Sequence, residues 1–102
     1  MQLSTVMTPE GRVIAIDVDE SLDLRVHSLF VQACELVAGS ESGAIEVNVA
    51  NTRQVRDSGL AMLMMLGQRA AGLAGGVRLV NCAPELRRWL RARRLDTDLK
   101  LA

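Results

Sequence analysis

Helix and strand patterns alternate along this chain in the order ββαβαβα, and that alternation limits its fold more than any other feature. Strands separated by a helix pair in parallel through right-handed crossovers, whereas strands separated by a tight turn pair antiparallel. Gln2 to Thr8 and Arg12 to Ile16 read as strands flanking the turn signal Pro9-Glu10-Gly11, which predicts an opening hairpin. After the acidic loop Asp17 to Asp23, the residues Val26, Leu29, Phe30, Ala33 and Val37 recur at helical spacing. Asp23 is placed to cap that helix, which ends near Gly39. Beyond the loop Ser40 to Gly43, the stretch Ala44 to Val49 alternates Ile45, Val47 and Val49 with Ala44, Glu46 and Asn48. One face of that strand is too polar for burial on both sides.

A second helix is predicted from Asp57 to about Leu73, ended by Gly72, Gly75 and Gly76, and Val77 to Asn81 is the next strand. Pro84 opens a third helix, where its missing N–H costs little, and Leu86, Trp89 and Leu90 line one side. Leu95 to Ala102 adds a last short extended piece. The expected architecture is one α/β domain over residues 1–102: a mixed, mostly parallel sheet of roughly four or five strands with an N-terminal β-hairpin and about three packed helices.

Composition narrows the functions such a domain can have. Lys+Arg and Asp+Glu are 12 each, so no broad field draws the chain to a polyanion. Phe30 and Trp89 are the only aromatic residues, which leaves no stacking platform for single-stranded bases. Arg87, Arg88, Arg91, Arg93 and Arg94 crowd the third helix, where a solvated face is favoured over nucleic-acid binding, and an acidic protein partner is a further option. Lys100 is the only lysine, which argues against lysine chemistry. Cys34 and Cys82 belong to no CxxC pair or Cys/His cluster and are expected as free, buried thiols. His27 has no second ligand nearby and is expected at the margin of the core. No segment approaches the roughly 20 apolar residues of a membrane span, so direct membrane insertion is not expected and a cytoplasmic location is.

The second helix carries the most information. From Gly59 to Gly67 it has no charged residue. At about 100° per residue, Leu60, Leu63, Met64, Gly67 and Ala71 fall on one side, and Ala61, Met65, Gln68, Arg69 and Gly72 fall opposite, with Met62 at the margin. The methionines read either as gap-filling core or as a surface that accepts a partner. At the start of the helix, first-turn N–H groups without intrahelical partners favour negative charge, and Asp57 or Ser58 can cap them.

Taken together, Ala44-Ile45-Glu46-Val47-Asn48-Val49, then Asp57-Ser58-Gly59-Leu60-Ala61-Met62-Leu63, then Val77-Arg78-Leu79-Val80-Asn81 resemble the STAS family (sulfate transporter and anti-sigma-factor antagonist) over nearly the whole chain. Asn81-Cys82-Ala83-Pro84 matches that family's proline-containing turn, and Leu22-Asp23-Leu24-Arg25-Val26-His27 resembles its Asp-containing first-helix segment in anti-sigma-factor antagonists. The resemblance implies a non-catalytic bacterial switch module in signal transduction, without cofactor or metal. Such a module docks a partner kinase or anti-sigma regulator through the start of the second helix. Arg56, Asp57, Ser58, Gly59, Ala61, Met62 and Met65 are the implied contacts. In the family a serine directly after an Asp is phosphorylated, and phosphate there abolishes binding. Aligned without gaps on Gly59-Leu60, Arg56 stands where the family has Asp, Asp57 occupies the phosphoacceptor position, and Ser58 matches the second hydroxyl. A one-residue gap instead makes Ser58 the acceptor. The resemblance also implies an alternative role, as an adaptor subunit regulating a membrane lipid-transport ATPase.

Two other patterns compete. Asp17-Val18-Asp19-Glu20-Ser21 after a strand resembles the first motif of haloacid-dehalogenase-type phosphatases, but Ser21 replaces the usual Thr or Val and no suitable lysine follows. Asp17, Asp19, Ser21 and Asp23 have calcium-loop spacing, yet Leu22 takes the Gly position and Ser28 the terminal Glu position. A solvated acidic loop before a helix is the simpler reading.

Overall fold

A computed structural model of the chain describes residues 1–94 and 99–101. Its elements are β1 (Gln2–Thr8), β2 (Gly11–Asp17), β3 (Ser21–Leu22), a 3-10 turn (Leu24–Val26), α1 (His27–Val37), β4 (Ala44–Asn48), β5 (Gln54–Val55), α2 (Asp57–Arg69), β6 (Val77–Val80), α3 (Pro84–Ala92) and β7 (Leu99–Leu101). The main sheet has five strands in the order β1-β2-β4-β6-β7. β1 and β2 pair antiparallel around the Pro9-Glu10 turn, and every other pair in the sheet is parallel, as the alternation predicts. The expected final strand is present at Leu99–Leu101, while Leu95 to Asp98 and Ala102 lie outside the described residues.

The polar alternation in β4 has a direct cause. Register places Ile14, Ile45 and Val77 in one row and Ile16, Val47 and Leu79 in the next, all buried. They pack with Val26, Phe30 and Ala33 of the first helical segment, Leu60, Leu63 and Leu66 of α2, and Leu90 of α3. The alternate residues Val13, Ala15, Glu46, Asn48, Arg78 and Val80 are half-exposed on the other face. There Arg78 pairs with Glu46 at 3.3 Å, and Asn48 donates to Asp17 at 3.1 Å. One apolar face and one wetted face is what a sheet with helices on a single side requires.

The sequence did not announce a second, two-stranded parallel sheet of β3 and β5, with Ser21 beside Gln54 and Leu22 beside Val55. It ties the acidic loop to the segment before α2. The N–H groups of Arg53 and Gln54 donate to Glu20 O, and Thr52 Oγ1 donates to Asp19 O. α2 ends at Arg69 rather than near Leu73, with Ala70 already outside helical geometry. Among the described residues no helix is long and apolar enough to cross a membrane.

Candidate functional site

Three segments meet at the start of α2: the 3-10 turn, β3, and the run Thr52 to Arg56. Arg56 is the N-cap residue, extended at φ −89° and ψ 159°, and its side chain makes no capping hydrogen bond. Asp57 and Ser58 therefore lie within the first turn and do not cap it. Asp57 is exposed and Ser58 is half-buried. Backbone donors of a first turn have no intrahelical partner, so this end is electropositive and suits the Asp57 carboxylate.

One side of this mouth is closed by the chain itself. Leu22 O accepts from Arg56 N–H at 2.9 Å and lies against Gly59. A Cβ at position 59 would sit 2.1 Å from Leu22 O and 2.5 Å from Leu22 C, so only glycine lets β3 approach so closely. Gly59 is buried. Its place is to admit β3, not to face solvent, which corrects the expectation that it is a contact residue.

The rest of α2 departs from its own periodicity. Met64, on the core side of the projection, is 44% exposed, whereas Met65, on the solvent side, is half-buried against the core with Met62. The projection ignores neighbours, and α1 and the 3-10 turn pack against α2. Ser58, Met62, Met65 and Arg69 share one flank at 100° per residue. Arg69 is close enough to Cys34 of α1 to act on its thiol electrostatically, which puts that flank beside α1. Asp57, Ala61, Met64 and Gln68, spaced at i, i+4, i+7 and i+11, remain exposed. Leu24 in the adjoining 3-10 turn is 61% exposed, and the N-cap residue Arg56 is exposed at the mouth itself. Leu24 was legible only as a leucine left out of the buried stripe. Beyond Arg53 an open cleft of about 620 Å³ runs between Val55 and the Leu86 and Trp89 side chains of α3.

The remaining candidates are engaged elsewhere. Asp23 caps the 3-10 turn rather than α1 directly, accepting from Arg25 N at 3.0 Å. The Arg25 side-chain bond, reinforced by that backbone bond and by Ser21, lowers its pKa from 3.8 to about 2. Asp17 accepts from Asn48 and Asp19 from the Met1 ammonium, so the acidic loop's carboxylates do not converge on one point. His27 is exposed at the start of α1, not at the core margin. Cys34 and Cys82 are free but half-buried rather than buried, and burial raises both thiol pKa values. On α3, Arg87 is half-buried and Arg88 and Arg91 are exposed; Arg93 and Arg94, in the turn just after it, are exposed as well, with Arg93 stacked 4.3 Å over the Trp89 ring.

The family model described as "Mlab, STAS domain" matches residues 7–101. The chain belongs to the STAS family. A STAS-domain containing protein of Pseudomonas aeruginosa (strain UCBPP-PA14) is 26% identical over 102 residues, covering all of both chains. Among solved structures, a serine-to-glutamate variant of Moorella thermoacetica RsbS superposes with TM-score 0.73 at 14% identity, covering 100% of this chain and 86% of that one. The anti-sigma factor antagonist SpoIIAA in its unphosphorylated form gives 0.70 at 16% identity, covering 99% and 88%. The Bacillus cell fate determinant SpoIIAA in its phosphorylated form gives 0.61 at 20%, covering 99% and 91%. These likenesses establish the STAS fold. In this chain the turn after β6 has a local cause: Asn81 adopts φ 59°, a left-handed conformation that asparagine tolerates, and its amide donates to Asn48 at 3.1 Å.

Proposed function

We propose that this STAS domain is a non-catalytic docking module that binds a regulatory protein through the start and exposed face of α2. The observation that carries the reading is the pairing of an uncapped helix start bearing exposed Asp57 with the exposed apolar side chains of Leu24 and Met64. Scattered apolar side chains on a surface are ordinary. Leu24 in the adjoining turn and Met64 two turns along the face that Asp57 begins offer a partner burial in addition to the polar anchoring of the helix end, and methionine adapts to an imperfect fit. Arg56, Asp57, Ala61 and Met64 are the direct contacts, Ser58, Met62 and Met65 border them, and Gly59 holds the mouth in shape.

The partner class is a kinase or anti-sigma regulator, by analogy with a fold whose solved members include an anti-sigma factor antagonist. Regulation differs from the family pattern. Asp57 keeps one negative charge where the family gains a phosphate, and one carboxylate imitates a phosphate incompletely. Ser58, half-buried toward the α1 flank, is a poor substrate for a kinase. Binding is therefore constitutive. A constitutive site equally suits the second reading, an adaptor on a membrane transport ATPase, which needs no phosphate switch.

Affinity purification from the native host, with bound proteins identified by mass spectrometry, separates the readings. A kinase or anti-sigma regulator captured by the wild type and lost in Met64→Glu supports the first, and a transporter ATPase with the same dependence supports the second. Capture indifferent to both Met64→Glu and Asp57→Ala eliminates α2 as the site. Intact-mass measurement after incubation with the host's kinases should find no phosphate. Stoichiometric phosphate on Ser58 would overturn constitutive binding.

A further inference from the structure

The two edges of the five-stranded sheet are unlike. β7 carries Lys100 at the centre of Leu99–Leu101, and a lysine on an edge strand is one of the ways in which sheets discourage pairing with other chains. β1 is seven residues long, contains neither a charged residue nor a proline, and among the described residues pairs only with β2. Its Val6 and Met7 are 55% and 69% exposed. We propose that β1 is the pairing edge for a second copy of this chain, joined antiparallel about a two-fold axis at Thr5, so that the two sheets continue as one.

The strand is complementary to itself. Reversed about Thr5, Gln2 faces Thr8 of the second copy, Leu3 faces Met7, Ser4 faces Val6, and Thr5 faces Thr5. All of β1 is used in this register, and any shift leaves residues unpaired. The β2 register sets Leu3 beside Ile16 and Thr5 beside Ile14, so Leu3, Thr5 and Met7 point to the helix side. There Leu3 of each copy covers the exposed Met7 of the other, and the threonines meet at the axis, both favourable cross-strand pairs. Arg12, the cross-strand neighbour of Met7, donates to Leu36 O at 3.2 Å, which brings the end of α1 to the same corner. Leu36 is 40% exposed and adds apolar surface beside Met7.

Charge favours a copy of the chain over another occupant. No charge on β1 meets its own image across the axis, and a formal net charge of +0 leaves no long-range repulsion between copies. The protected β7 edge stops growth at two, giving a closed two-fold dimer rather than a fibre. One strand pair with a few flanking side chains is a small interface, so the dimer dissociates on dilution. None of these residues belongs to the α2 face, so either reading can fail without the other.

Sedimentation equilibrium of the full chain tests this with a charge exchange at the axis. The wild type should reach twice the chain mass as concentration rises. Thr5→Lys and Thr5→Glu each place like charges opposite one another and should raise the dissociation constant by roughly tenfold or more. An equimolar mixture of the two should recover the dimer, because Lys then faces Glu, and that recovery also shows that both variants are folded. Met7→Lys, at an exposed side chain, should weaken the dimer without unfolding the monomer. A wild type that stays at the mass of one chain up to its highest soluble concentration overturns the proposal. So does a dimer indifferent to both Thr5 substitutions, or a mixture that remains monomeric.

Discussion

The chain begins its first helical segment and α2 in opposite ways. At the first, Asp23 stands outside the turn and accepts from the backbone and side chain of Arg25, and Ser21 donates to it as well. That carboxylate serves the fold. At α2 the N-cap is Arg56, without a side-chain bond, and Asp57 stands exposed one position into the helix. One residue of register separates an aspartate that holds its own chain together from one available to another molecule.

Five substitutions sharpen or break this contrast. Gly59→Ala should have the largest effect, because its Cβ must displace the backbone of Leu22. A loss of roughly 3 kcal/mol is expected, seen in thermal melts as a fall of roughly 12–24 °C for a domain of this size. Met65→Glu should cost about 1–2 kcal/mol, since it sets a carboxylate against the core. Equal stability of Met65→Glu and wild type would show that the α1 flank does not cover this residue. Asp23→Asn should lower the melting temperature by a few degrees at neutral pH. The folded-state pKa of Asp23 is depressed, so its contribution is fully present above 3.8 and disappears as pH falls toward about 2. The gap between wild type and Asp23→Asn should therefore close across that window, and a gap that persists at pH 2 would contradict the assigned role. Met64→Glu and Asp57→Ala should have the smallest effect on stability, within about 0.5 kcal/mol, while weakening partner binding.

Elements with a repeating period were legible in the sequence. Alternation in β4 and helical spacing in α1 span enough residues to separate a period of two from one of 3.6, and the hairpin followed from Pro9-Glu10 between strand-like runs. β3 and β5 were not legible, because two residues carry no period. The true end of α2 was also hidden: Ala70 and Ala71 favour helix, but the glycines that follow make continuing it costly. The site was half legible. A helix start at Asp57 was visible, whereas which methionine faces solvent depended on α1, a neighbour beyond the reach of any single-helix projection.

The central claim is that α2 meets its partner along Asp57, Ala61 and Met64. Photo-crosslinking in the native host tests it directly, with p-benzoyl-phenylalanine placed in turn at Met64 and at Ser4 on the open sheet face. The account predicts that the captured regulator is crosslinked from position 64 and not from position 4. Crosslinking to that regulator from position 4 alone would put the partner on the sheet and contradict the account.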